Sequence, residues 1–466
     1  MQSTNNKLSL KQVGLRSIIM VGISLLVGIL SLFAGLGESK QIMAVSIFTL
    51  IISATLLFWN FRLAIAFIGM AIILAGNVIT LEQFIKSAEL DIILFLIGMM
   101  TLVGVLKDLG LFSWIIQSII KMKHITGHLF ILIIMFMSAL MACLVDEVTS
   151  IVIMLALIFQ VCDTLKVSPT SYVIVSVIST NIGSSGTMLG NPIGILIGTK
   201  AGFSFIDFMV TAFPIMLISL VATLLIVLYW YKKDIELFTE RLEARRRMLI
   251  GLGPLIKIPY KKGLMILISA ITLIALHHSI EQELGIAKNT LLIVAPLAIS
   301  GILMIWKNER ARHYIESEVE WWTLLFFMML FAVAGSLEKT GVTQQIAQNF
   351  VNTFGNNPIV LTPIVLFTTA LGSAFVDNIV FVAAFIPVVK EIGDSSLWWA
   401  LMFGGCFGGN ITLIGSTANI VALGMVEKRY HKHITFFEWF RFGATIGLIT
   451  CIIASGIIVL SIVFMR

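Results

Sequence analysis

Thirteen apolar stretches follow one another along this 466-residue chain, at 17 to 35, 41 to 59, 62 to 80, 92 to 119, 129 to 162, 171 to 198, 205 to 230, 263 to 280, 290 to 306, 322 to 338, 358 to 389, 397 to 426 and 441 to 465. A helix needs about twenty apolar residues to cross the ~30 Å hydrocarbon core of a bilayer, so this pattern predicts an all-α polytopic membrane protein. Composition agrees, with 58% hydrophobic and only 12% charged residues, where soluble domains carry about 25% charged. The gaps leave no segment long enough for a soluble domain, and the lipid bilayer is the partner the chain requires. A net charge of +6 does not argue for nucleic acid, because the basic residues lie between the apolar stretches, where the positive-inside rule puts them. The first stretch follows Lys7, Lys11 and Arg16 without a small-residue cleavage pattern and reads as a retained span. Cys143, Cys162, Cys406 and Cys451 all sit within apolar stretches without paired spacing, so they read as packing residues. Trp321-Trp322 and Trp398-Trp399 read as interfacial belts.

Two stretches are too long for one crossing. As a single helix 129 to 162 would measure about 51 Å, yet it carries Asp146-Glu147 near its middle, and 358 to 389 carries Asp377-Asn378. Both read as re-entrant hairpins with tips inside the membrane, where irregular backbone is tolerated only if it lines a cavity or is buried in protein. About eleven transmembrane helices plus two hairpins result. With the N-terminus cytoplasmic and the C-terminus external, the cytoplasmic segments 1 to 16, 60 to 62, 120 to 128, 163 to 170, 231 to 262, 307 to 321 and 427 to 441 hold 23 of the 31 Lys and Arg residues.

The chain also repeats itself. "LIGMMTLVGVLKDLG" at 96 to 110 matches "FMMLFAVAGSLEKTG" at 327 to 341, and Val145-Asp146 falls over Val376-Asp377 at the same offset of 231. "GSSGTMLG" at 183 to 190 falls over "GGNITLIG" at 408 to 415, with Thr187 over Thr412. The organisation is an N-terminal span at 1 to 40, a first repeat at 41 to 232, a basic linker at 233 to 262 and a second repeat at 263 to 466. Each repeat carries a hairpin (129 to 162; 358 to 389) and a broken helix (171 to 198; 397 to 426). Five crossings separate equivalent points, an odd number, so the second copy is inverted, as in secondary transporters with a site at the repeat interface.

A charged side chain at mid-membrane costs at least ~2.5 to 3.5 kcal/mol on insertion scales and usually faces a polar cavity, a partner or an ion. Asp146 with Thr149 also fits an N-cap for the returning hairpin arm. The stretch "STNIGSSGTMLGNPIG" concentrates polar groups at mid-span, and the helix is expected to open near Asn191-Pro192. Gly186, Gly190, Gly194 and Gly198, spaced by four, fit helix packing equally well. In the second copy Asn410, Thr412, Ser416, Thr417 and Asn419 keep the polar groups without that glycine spacing, which favours ligand coordination. The seven histidines, His124 among them, sit at span ends or in loops. Zinc-protease and nucleophile-elbow motifs are absent, so an enzyme is not expected.

The combination of a hairpin aspartate with "NIGSSGTMLGNP", then "FVDNIVF" with "GGNITLIGSTANIV", resembles the ion transporter superfamily. This group includes arsenite permeases, NhaD-type sodium/proton antiporters, the P protein and divalent-anion symporters. The resemblance implies an elevator-type transporter, usually a homodimer, with cation sites between each hairpin tip and the following broken helix. Carried over by position, the first site would use Asp146, Thr149, Ser150, Asn181, Gly183, Ser185 and Thr187. The second would use Ser373, Asp377, Asn378, Asn410, Thr412 and Asn419. Na⁺ would sit at Asp146, Asn181 and Thr187, and at Asp377, Asn378, Asn410 and Asn419. Antiporter-like relatives carry Asp-Asn at the first tip where this chain has Asp146-Glu147, and Gly-Asp-Pro-Pro-Asn where it has Gly190-Asn191-Pro192-Ile193-Gly194. Glu147 is the alternative proton carrier.

The expected function is a secondary transporter of the cytoplasmic membrane, without resident cofactor and coupled to Na⁺ or H⁺. Na⁺/H⁺ antiport is the first reading, because Asp146, Glu147 and Asp377 make the site acidic. The alternatives are cation-coupled transport of a small inorganic or carboxylate anion (arsenite, sulfate, citrate or another dicarboxylate), and an ion channel or the membrane subunit of a larger pump.

Overall fold

The computed structural model describes residues 10–33, 36–58, 61–122, 125–247 and 258–465; Lys7, His124 and the part of the basic linker at 248–257 lie outside the described residues. Every regular element among the described residues is helical. Nine described helices are long and apolar enough to cross a membrane, or up to eleven if each of two bent pairs counts as one span. The bent pairs are Lys261–Ala275 with His277–Leu284, at 57°, and Thr290–Trp306 with Asn308–Glu318, at 108°. The nine include three helices flanking the acidic tips, Gly127–Leu144, Glu147–Leu165 and Pro358–Phe375. The stretch 92 to 119 divides into Leu90–Asp108 and Leu111–Ile120, because Gly110 takes φ +75° and turns the chain. Gly341, at φ +77°, does the same between Trp321–Lys339 and Val342–Phe354.

The chain forms two compact units. One comprises the chain up to Leu90 with Trp321–Gly355 and Ala383–Gly393. In it Met20, Ala54 and Phe58 form a buried cluster, Gly335 gives Ser87 the room to approach the backbone, and the Arg62 guanidinium lies 4.7 Å from the centre of the Phe326 ring.

The other unit comprises Asp91–Glu320, Asn356–Val382 and Asp394–Arg466, and holds both acidic tips and both broken helices. At the first tip the chain reverses. Ser150 Oγ donates to Ser138 O at 2.9 Å, although twelve residues along a continuous helix span about 18 Å. At the second tip a Cβ on Gly372 would strike the ring of Phe381, nine residues on, so the chain doubles back there too. The first broken helix runs Thr170–Gly183, opens, and resumes as Pro192–Ala201. Its counterpart runs Ser395–Gly408 and resumes as Thr417–Tyr430.

Two expectations change. Asn191-Pro192 marks where the first broken helix restarts, not where it opens, with Asn191 as N-cap and Pro192 in the first turn. Proline suits that position because the N–H it lacks would be unpaired there anyway. Trp398 and Trp399 are buried, with Trp399 stacked on Phe203 at 4.4 Å, so this pair packs inside while Trp321 and Trp322 stay exposed.

Candidate functional site

Each helix break is tied to its own hairpin by the same contacts. Thr187 Oγ1 donates to Cys143 O at 2.5 Å and accepts from Leu189 N. Thr412 Oγ1 donates to Ala374 O and accepts from Ile414 N. Gly183 lies against the backbone of Ala139, and Gly408 against that of Ala370, at distances that admit no Cβ. Gly190 packs on Ser184 and Gly198 on Met188, so these glycines fold their own segment into a tight loop. Ser150 donates to Ser138 O, Ser185 to Ile182 O at 2.7 Å and Ser373 to Gly405 O at 2.7 Å. These three hydroxyls each spend their hydrogen on a backbone carbonyl inside the protein.

The two breaks also meet each other. Ser416 Oγ donates to Asn181 Oδ1 at 3.1 Å, and Asn191 Nδ2 donates to Cys406 Sγ at 3.2 Å. Cys406 stands 225 residues after Asn181, and Ser416 stands 225 after Asn191. The two contacts are therefore one contact made twice with the copies exchanged, the reciprocity a two-fold relation produces.

The asparagines lock in a defined order. Asn419 Nδ2 donates to Gly409 O at 2.8 Å and to Thr412 O at 2.9 Å, which turns Asn419 Oδ1 toward Asn181. Asn181 Nδ2 donates to that oxygen at 2.9 Å and to Asn410 Oδ1 at 2.9 Å. Amide orientation follows from partners, and two backbone carbonyls fix this chain of donors at its origin. Asn410 Nδ2 is left buried without a partner, while Trp439 Nε1 donates to Asn410 O at 3.0 Å.

The acids divide in role. Asp146 Oδ1 accepts from Thr149 N at 2.8 Å, capping the returning arm, and both residues are half-buried. Glu147 is 2% exposed, lies beside Asn191 and Ser184, and is close enough to Asp377 for mutual repulsion. Its Oε2 has no hydrogen-bond partner. Asp377, also 2% exposed, accepts from Ile379 N at 3.1 Å and from Thr417 Oγ1 at 2.7 Å. Asn378 stands where Glu147 stands in the first copy; its Oδ1 accepts from Ile379 N, and its Nδ2 is unpartnered. Ser184 connects the sets, donating to Asn181 O at 3.0 Å and accepting from Asn191 Nδ2 at 2.9 Å. Among the described residues no group of three or more His, Cys, Asp and Glu side chains is arranged to hold a metal ion.

The expected site residues thus fall into a stitching set (Ser150, Gly183, Thr187, Ser373 and Thr412), a set joining tips and breaks (Glu147, Asn181, Asn191, Asp377, Asn410, Ser416 and Asn419), and residues bonded only within their own tip or break (Asp146 with Thr149, Asn378, and Ser185). Ser184, Cys406, Thr417 and Trp439 complete the network beyond the carried-over ligands. Cys406 carries a signal in the sequence, since it occupies the repeat position of Asn181. Ser184 lies in the polar mid-span stretch already singled out, whereas Trp439 has no such signal.

Residues 48–404 match the family model described as citrate transporter. The chain is 32% identical over 403 residues to an uncharacterized transporter of Mycobacterium tuberculosis, covering 84% of this chain and 91% of that protein. It is 30% identical over 412 residues to the 46 kDa membrane protein of Mycobacterium leprae, covering 84% and 91% respectively. The human P protein is 27% identical over 468 residues, covering 82% of this chain and 54% of that protein. Among solved structures, the Alcanivorax borkumensis YdaH transporter, described as having an unusual topology, matches 92% of this chain and 99% of its own at a TM-score of 0.52 and 16% identity, a likeness of fold.

Proposed function

This chain belongs to the citrate transporter family, and on that premise we propose that it carries a small carboxylate-bearing anion across the cytoplasmic membrane together with H⁺ or Na⁺. The observation that carries this reading is one connected network holding both a buried, unpartnered amide donor, Asn410 Nδ2, and a buried, unpartnered carboxylate oxygen, Glu147 Oε2. Unspent N–H groups suit the oxygens of an anion. A buried acid facing a second acid suits a cation.

Coupling follows from charge. With Glu147 and Asp377 both ionised, an entering anion meets two like charges in a medium of low dielectric constant. A cation on this pair lowers the repulsion, and by linkage the bound anion strengthens cation binding by the same factor. Asn181 Oδ1 and Thr187 Oγ1 are already engaged with Ser416, Cys143 and Leu189, so a proton on Glu147 requires less rearrangement than Na⁺ ligation by this set. The reciprocal contacts of Asn181 with Ser416 and of Cys406 with Asn191 support an inverted repeat. Elevator motion, a homodimer, a cytoplasmic N-terminus and an external C-terminus belong to the same proposal.

Na⁺/H⁺ exchange is the second reading, favoured by the burial of two carboxylates, Glu147 and Asp377. Proteoliposomes with a pH-sensitive dye inside separate the two. Citrate added outside is expected to carry protons inward and to exchange with labelled internal citrate. Proton movement driven by Na⁺ with no anion present would establish the exchanger. Conductance without counterflow would establish a channel.

A further inference from the structure

We propose that Asn181 is a positioning residue that holds the Asn410 amide with its N–H groups turned toward the transported anion, and is not itself a cation ligand. The inference rests on the reading of Asn410 as an anion donor.

Asn181 is fully buried and its side chain is committed on both sides. Both Nδ2 hydrogens go to amide oxygens, of Asn410 and Asn419, and Oδ1 accepts from Ser416. Asn181 cannot turn over, because Asn419 presents only an oxygen to it. Asn419 in turn is held by the carbonyls of Gly409 and Thr412. A reversed Asn181 would set two oxygens against each other in a buried site, which costs the desolvation of both. With Asn181 fixed, Asn410 has one orientation that makes a hydrogen bond, the one that leaves Nδ2 free. An isolated terminal amide has a broad torsional preference and would present oxygen or nitrogen with little bias.

The corresponding position in the second repeat supports a role through neighbours. Cys406 accepts from Asn191, which also donates to Ser184, beside Glu147. In each copy this position meets the residue before the restarting helix of the other copy.

The test uses the full chain in proteoliposomes with labelled citrate. Asn410→Ala is expected to raise KM about tenfold, the scale of a lost hydrogen bond to a charged group, with Vmax changed less. Asn181→Leu, similar in size and without polar atoms, is expected to raise KM comparably. The double variant is expected to match Asn410→Ala alone within about twofold, because the action of Asn181 passes through Asn410. A merely structural role predicts instead that the two effects multiply. Multiplied effects, or a wild-type KM in Asn181→Leu, would overturn the inference while leaving the anion reading intact. A wild-type KM in Asn410→Ala would overturn the anion reading and the inference with it. Should Asn181→Leu fail to yield folded protein, Asn181→Ser, which keeps one donor, carries the same cycle with the same criteria.

Discussion

At the first tip a carboxylate, Glu147, occupies the position that an amide, Asn378, holds at the second; on the breaks, Ser185 and Gly194 stand where the second copy has Asn410 and Asn419. The scaffolding of the two halves is nevertheless shared: each threonine stitches its break to its hairpin, and Gly183 and Gly408 each admit the hairpin backbone. Within that shared frame the acids and amides are distributed unevenly: Glu147, Asn181 and Asn191 come from the first half, and Asp377, Asn378, Asn410 and Asn419 from the second. On the proposed co-transport of an anion with a cation, unlike halves would let one network offer both a carboxylate oxygen and an amide donor.

That contrast can be broken most sharply at Glu147. Glu147→Gln is expected to abolish uphill citrate accumulation driven by a pH gradient, a loss of a hundredfold or more, while citrate counterflow persists; loss of both in folded protein would remove Glu147 from a purely coupling role. Asp377→Asn is expected to weaken coupling less, since Thr417 Oγ1 and Ile379 N already satisfy part of its charge, and the ratio of uphill uptake to counterflow measures it. The shared scaffold is sharpened by Thr187→Val and Thr412→Val. Each leaves a carbonyl unpaired and is expected to cost about 1 to 3 kcal/mol, read as similar losses of thermal stability in detergent; a large inequality would end the case for equivalent stitches. The smallest effect is expected at Asp146. Asp146→Ala should cost about 0.5 to 2 kcal/mol as a lost N-cap, and Asp146→Asn, which still accepts from Thr149 N, should leave both stability and uptake near wild type. Loss of uptake in Asp146→Asn would place the Asp146 charge in the transport site.

The helical class, the acidic tips and the repeated order of tip and break were all legible in the residues. Hydrophobic run length, an acid within an apolar stretch, and glycine or Asn-Pro punctuation act locally, so their consequences are written where they occur. Even so, local rules misplaced the opening of the first broken helix, because a proline is as much at home in the first turn of a helix as at its end. They also put Trp398-Trp399 at the interface, because a tryptophan pair near a span end carries no mark of the aromatic partner, Phe203, that buries it.

By itself the sequence determined that this chain spans a membrane and contains two acid-bearing turns with two interrupted helices. Only the tertiary structure decided that Asp146 caps while Glu147 is buried beside Asn191 and Ser184, that Cys406 receives Asn191, and that Asn410 keeps its donors free. The reason is physical. Which end of the Asn181 amide faces its neighbours, and what the Asn191 amide meets, depend on hydrogen-bond partners more than two hundred residues away, and an asparagine is spelled the same whichever end it presents.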